Sequence, residues 1–468
     1  MFVLVSLTAS CFIVPLPVKA GSRTFVVPDD YPTIAAAIGN ATDGNTIFVK
    51  NGIYEGIQNQ TLSINKTISL IGEDPKSTII KLHPPLVPMS IFTFEYMGYL
   101  AAIRIDANWV KLSGFTITSD GGDLSAIGNG TQMISNIMNF RVTATGDGTQ
   151  VINNTLTGIV LNGSNQTIAQ NIIFNGTAEF LISCVGSYNT ITSNKVAGSG
   201  GGIYTNGSHN IIYENSITGE SVINAGVEVN GKGNILCNNN ISNFVCIGST
   251  RVPESSSNII CGNKVTSNLA IVGNNNTFNG NYIQGVVMGN VNQDASNNIF
   301  YHNNFDFIKN EAWFSGEKTF IVWEGVRGSV FLDNGKEGNY YSDYNGSDLN
   351  SDGIGDTPYV IITKDPSNYH NIAVFNIADM VLTDHYPLMM PFDISSVTIQ
   401  LPEWEYPLPS PSSSPSPEPT PSPSPSTTPS PEPQQSEPKL FPIVYSMGIV
   451  AAIVLVLLGS IFYVLKRK

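Results

Sequence analysis

Charge is scarce in this chain. Of its 468 residues only 12% are charged, and 22 Lys and Arg stand against 36 Asp and Glu, a net charge of -14. Nucleic-acid phosphates call for a basic face, so no nucleic-acid partner is expected. Histidine is scarce too: the chain has His83, His209, His302, His370 and His385, with no His-x-x-His pair and no Met-rich cluster. Met389 and Met390 lie near His385, but methionines in such a place are more often packing. Copper binding therefore has little to build on. Yet 41% of the chain is hydrophobic, and Asn, Gly, Ser and Thr dominate the remainder. A chain that buries apolar surface without a Lys/Glu surround suits repeated strands better than helices.

Both ends are apolar. Residues 1–20 read as a signal peptide, an apolar run ending Val18-Lys19-Ala20 with small residues placed for cleavage after Ala20. No Lys or Arg precedes the run. An uncleaved helix and lipid attachment at Cys11 are the competing readings. Residues 441–465 carry no charge and are followed by Lys466-Arg467-Lys468. That is the pattern of a single transmembrane helix with a short cytoplasmic C-terminus and an extracellular ectodomain; a sorting signal that is later removed would look the same. Residues 401–438 are Pro/Ser-rich and form a linker that cannot pack a core, extended like polyproline.

The ectodomain repeats. The template Asn-x-aliphatic-x-x-Asn-x-aliphatic has its central Asn at 154, 171, 194, 215, 239, 263, 281 and 303. Three residues before stand Val151, Ile168, Ile191, Ile212, Leu236, Ile260, Phe278 and Phe300. Two residues after stand Leu156, Ile173, Val196, Ile217, Ile241, Val265, Ile283 and Phe305. Successive spacings are 17, 23, 21, 24, 24, 18 and 22 residues, so each repeat is one coil with insertions in its turns. Alternation places one side of each strand inward. The Asn sits at the bend between two strands, where left-handed backbone is tolerated, and stacked Asn side chains can form a hydrogen-bonded ladder. The fold class is all-β: a right-handed parallel β-helix solenoid over residues 21–310, with a C-terminal capping region over 311–400.

Earlier coils are less regular. Asp29 to Ile38 predicts a short capping helix with Pro32 near its first turn, and Thr46–Val49 a strand followed by an Asn51-Gly52 turn. A helix there would cover the open end of a solenoid. Val27-Pro28-Asp29-Asp30-Tyr31-Pro32-Thr33-Ile34 through Glu55 resembles the opening of NosD-like β-helix proteins, related by fold to pectate lyases. The motifs Gly338-Asn339-Tyr340-Tyr341-Ser342-Asp343-Tyr344, Asp352-Gly353-Ile354-Gly355-Asp356-Thr357-Pro358-Tyr359 and His385-Tyr386-Pro387-Leu388-Met389 are similar to that family's C-terminal signature. The family usually has Trp where this chain has Tyr341. The resemblance covers about residues 25 to 392. It implies a β-helix and says little about activity; it also brings copper handling of a periplasmic type into view as one alternative.

Four groups of residues could carry chemistry. Asp348, Asn350, Asp352, the Ile354 carbonyl and Asp356 hold positions 1, 3, 5, 7 and 9 of a calcium loop, with Gly353 at position 6. Position 12 is Tyr359 rather than Glu, so any calcium would be structural. Cys237 and Cys261 each lie two residues before a central Asn in consecutive coils. Stacked strands are about 4.8 Å apart, near the lower end of the disulfide range. A Cys237–Cys261 bridge is expected, with free stacked thiols as the alternative. Glycosylation sequons occur at Asn40, Asn59, Asn65, Asn129, Asn162, Asn165, Asn175, Asn206, Asn240, Asn275 and Asn345, and also at Asn153, which the ladder next to it is expected to hide. Finally, acids between residues 120 and 300 share no register in neighbouring coils when counted from the central Asn, and Arg141 and Arg251 look scattered. No catalytic residues are assigned. Two readings stay open: a non-enzymatic cell-envelope protein that binds surface polysaccharide or another envelope component, and a polysaccharide lyase or hydrolase.

Overall fold

Thr24–Val27 pairs in parallel with Thr46–Val49, and Thr46–Val49 with Ser69–Gly72. The series runs on to Val330–Phe331, making a first face of fourteen strands among the described residues. A second series starts at Gly52–Glu55 and Thr78–Leu82 and ends at Tyr340–Tyr341. A third starts at Leu62–Ile64 and Ile103–Ile105 and reaches Phe320–Val322. The long strands Lys264–Ile271 and Tyr282–Met288 bend across the second and third faces, with an irregular register at the bend. From Thr46–Val49 to Phe320–Val322 each coil thus contributes strand segments to three parallel faces: a parallel β-helix. Parallel crossovers of L-residue strands wind to the right.

This is a computed structural model. It describes residues 22–91, 94–176, 178–219, 225–249, 255–289, 295–306, 320–322, 329–362 and 381–399. The chain divides into two units, Met1–Leu408 and Pro409–Lys468. The signal peptide, the Pro/Ser linker and the 441–465 run lie outside the described residues. Among the described residues no helix is long and apolar enough to cross a membrane.

All sixteen apolar positions of the repeat template are buried. Register explains why. Val151, Ile168, Ile191, Ile212, Leu236 and Ile260 are direct partners down the first face, so one inward choice fixes the whole column. The Asn ladder is also present, and longer than the template. Each Asn Nδ2 donates to the Oδ1 of the next, from Asn136 through Asn154, Asn171 and Asn194. It continues through Asn215, Asn239, Asn263, Asn281 and Asn303 to Asn339, at 2.9 to 3.2 Å throughout. The residue before each ladder Asn from Asn136 to Asn303 turns left-handed, as at Ser135, Asn153 and Ser193.

The ends differ from the expectation in detail. The helix spans Ile34–Asn40 with Thr33 as its N-cap, accepting from Ala36 N at 3.1 Å. It therefore starts later than Asp29, and Pro32 precedes the cap rather than opening the first turn. Asn51-Gly52 is no isolated turn, because Gly52 already begins a strand. At the other end Tyr341 is buried between Phe305 and Tyr359, ring centroids 5.4 and 3.8 Å away. An antiparallel pair, Tyr359–Ile362 with Val381–Asp384, closes that end.

Candidate functional site

The third face carries a cleft of ≈ 270 Å³ lined by Arg141, Ala178, Glu179, Phe180, Ser183, Tyr204 and Glu228. Its construction follows from the register. Thr143, Val160, Ser183, Tyr204, Glu228 and Cys246 form one outward column, each the direct partner of the next. Phe180 opens the strand Phe180–Val185 and pairs with Gly201, where no side chain competes for space. That leaves the Phe180 ring free to tilt onto Tyr204, at 5.2 Å between centroids. Arg141 is held by Asp123 through Nη2 at 2.7 Å and Nε at 3.1 Å. Glu228 accepts from Asn230 Nδ2 at 2.8 Å. Cys246 follows Glu228 in the column as a free thiol. Burial, then the Glu228 carboxylate, pushes that thiol up to about 12, so it stays protonated at neutral pH and offers no thiolate.

The chain brings together residues that appeared scattered in the sequence. Arg141, Glu179 and Glu228 line this one cleft, from strands up to four pairing steps apart, although they share no offset from the ladder Asn. The reason is the corner between the second and third faces. The inward residue that opens the third-face strand lies 5 residues after Asn154 (Ile159), 11 after Asn171 (Ile182) and 12 after Asn215 (Val227). Counting from the ladder therefore loses the third face. The signal that finds it is the inward apolar pattern of the third-face strands themselves.

The other candidate residues lie elsewhere. Cys237 and Cys261 are direct partners on the first face, Cα to Cα 4.6 Å, and are joined as a disulfide. The Asp348–Asp356 loop turns through Ser351 and Gly353, both at positive φ. Asp348 accepts from Gly353 N at 2.9 Å and Asp352 N at 3.2 Å, Asp352 from Ile354 N at 2.9 Å, and Asp356 from Leu349 N at 2.7 Å. Asn350 Nδ2 bridges to Asp352 Oδ2 at 2.9 Å. So the oxygens face into one turn, held there by the loop's own amides. Among the described residues no three His, Cys, Asp or Glu side chains are grouped as metal ligands. The sequon residues Asn40, Asn59, Asn65, Asn129, Asn162, Asn175, Asn240, Asn275 and Asn345 are exposed, while Asn165 and Asn206 are half-buried. Asn153 is exposed as well, which corrects the expectation that the ladder hides it. Its left-handed φ of 56° points it out of the corner while Asn154 points in.

No protein-family model matches this chain, and no curated protein does. It is similar to several solved structures. A PL6 alginate lyase complexed with trisaccharide is 13% identical, with a TM-score of 0.47, over 66% of this chain and 81% of that one. Alginate lyase AlyF-OU02 with G6 is 14% identical, with a TM-score of 0.47, over 68% and 85%. The catalytic unit of a GH87 alpha-1,3-glucanase from Streptomyces thermodiastaticus strain HF3-3 is 13% identical, with a TM-score of 0.37, over 69% and 72%. Likeness at this level concerns fold, and nothing about activity is carried over from it.

Proposed function

We propose that this protein is a NosD-like β-helix displayed outside the cell on a single C-terminal membrane helix, and that its third face binds an extended carbohydrate of the cell envelope. The observation that carries the reading is the cleft at Phe180 and Tyr204. Two rings tilted 39° to one another offer adjacent apolar faces, and Arg141, Glu179 and Glu228 line the same cleft with hydrogen-bonding groups. A sugar ring presents the matching pair of surfaces, an apolar face and a rim of hydroxyls. The outward column continues through Ser183, Val160, Thr143 and Ser125, small side chains along which a polymer could lie. In the purified full-length protein, Tyr204→Ala and Phe180→Ala should each weaken binding to the recognised polysaccharide by about ten-fold, the worth of one aromatic anchor in a pocket. Glycan-array binding followed by titration measures this. Unchanged binding in both variants would remove the cleft from the function.

One observation favours a second reading, polysaccharide cleavage: Glu179 and Glu228 line the same cleft as Tyr204 and Arg141. A pair of carboxylates is what glycoside hydrolysis uses. Release of reducing ends or unsaturated products, lost in Glu228→Gln, would establish that reading over simple binding.

A structural calcium in the Asp348–Asp356 loop is part of the proposal. The donors Asp348, Asn350, Asp352, Asp356 and the Ile354 carbonyl suit a hard cation, provided the Asn350 amide turns its oxygen inward. Chelation with EDTA should lower the unfolding temperature, and added calcium should restore it. A melting curve indifferent to both would end the calcium proposal.

A further inference from the structure

The outside of the first face changes character along its length. One outward column reads Gln150, Thr167, Thr190 and then Ile211, Ile235, Ile259. Outward isoleucines on a solvated sheet need a cover. Part of it is the chain's own end. Phe392 is clipped to Asn304 by two hydrogen bonds, both 2.8 Å. Five residues on, Asn238 Nδ2 donates to Val397 O at 3.4 Å. Val397 and Ile399 pack on Ile211, Ile235 and the cysteine pair. The corner is shaped for this crossing. Where other coils carry Ser135, Asn153 or Ser193, it has Gly262 and Gly280, and a Cβ on Gly280 would sit against the Val397 side chain.

The strap therefore climbs away from the C-terminal cap. It passes three ladder steps, Asn303 to Asn239, about 14 Å of coil stacking, in five residues that include the 3-10 turn Ile394–Ser396. Ile399 is the last residue described on this path. Ile235 and Ile211 are 8% and 4% exposed, whereas Ile259, behind the strap, is 40% exposed. Val397 and Ile399 thus cover the N-terminal end of the isoleucine column, and the chain leaves the described residues running in that direction.

We propose that residues 400–408 extend the strap across the first face and dock on the Ile211–Ile235 column. The segment is built for it. Val397, Ile399 and Leu401 alternate with polar residues; Pro402 resets the phase; Trp404, Tyr406 and Leu408 alternate again, with Glu403 and Glu405 placed for the solvent side. Nine extended residues reach about 30 Å, and the five ladder steps from Asn239 to Asn136 span about 24 Å, so the segment is long enough. On this reading the Pro/Ser run starts at Pro409, and tension on it reaches the flank of the solenoid before the cap.

A glutamyl-specific protease tests this in the full-length protein, by cutting after Glu403 and Glu405. Docking predicts cleavage at least about ten-fold slower than in a synthetic peptide of residues 397–411, because cleavage must wait for local release. Ile211→Ser should restore the peptide's rate. Leu401→Ser with Trp404→Ser should do the same without touching the solenoid, which keeps the test valid if Ile211→Ser misfolds. Cleavage of the wild type at the peptide's rate overturns the proposal. So does protection that persists in the Leu401/Trp404 variant.

Discussion

Aspartate in place of Asn154 should destabilise the domain by about 4–6 kcal/mol, while the same change at Asn153 should stay within about 0.5 kcal/mol. The two residues are neighbours, and the substitution swaps one amide for one oxygen in both. Asn154 is buried and uses every polar atom. Its Oδ1 accepts from Asn136 N at 2.9 Å and Asn136 Nδ2 at 3.1 Å. Its Nδ2 donates to Met133 O at 2.8 Å, Ile152 O at 3.0 Å and Asn171 Oδ1 at 3.2 Å. A carboxylate keeps the accepting half and turns its second oxygen on three other oxygens, those of Met133, Ile152 and Asn171. Asn153 is exposed, and its side chain donates to Ser135 Oγ at 3.0 Å. Asp tolerates its left-handed backbone nearly as well as Asn does. Because stability in a solenoid is carried by adjacent coils, hydrogen exchange should show the loss concentrated from Asn136 to Asn171. Equal urea midpoints for the two variants would mean the ladder does not hold the coils together.

The ladder shows what a sequence of this kind makes legible. Its Asn and the flanking apolar residues lie on two strands joined by a corner of constant length, so spacing in the chain equals spacing in space. The same holds for Cys237 and Cys261, which share an offset from consecutive ladder Asn. It fails for Arg141, Glu179 and Glu228, because the corner leading to the third face varies in length from coil to coil. It fails also at both ends. Thr33 caps the helix through its own side chain, a local preference that the apolar pattern starting at Asp29 did not weigh. At the first coils the corner is made by Gly72 and Gly114, whose backbones touch, and no Asn marks the register. At the last coil the residue that receives the ladder lies 45 positions beyond Asn339 and is not an Asn at all.

That residue is Asp384, and its removal should be felt almost as strongly as a break inside the ladder. Its Oδ2 accepts from Asn339 N at 2.7 Å, from Asn339 Nδ2 at 3.3 Å and from the Tyr341 hydroxyl at 3.1 Å. Its Oδ1 accepts from Tyr386 N at 2.9 Å. It thus stands where an eleventh Asn would accept, and its second oxygen ties down the chain that starts the strap. Asp384→Ala leaves these donors buried without an acceptor and should be destabilising by about 3–5 kcal/mol. Burial raises the Asp384 carboxyl from 3.8 to about 6, against the opposing pull of the amides. A carboxyl whose folded pKa is raised stabilises the fold most below its unfolded pKa. That contribution, on the order of 3 kcal/mol, is lost as pH rises through about 6. The wild type should therefore lose stability between pH 4 and pH 6 by about that amount from this group. Asp384→Asn cannot titrate. It keeps one accepting oxygen for Asn339 but turns an NH₂ on Tyr386 N, so it should be milder than Asp384→Ala, at about 1–3 kcal/mol, and flatten that pH slope. Urea unfolding of the three proteins across pH 4 to 7 separates the two effects. An Asp384→Asn protein with the wild-type slope would show that another group sets the pH dependence.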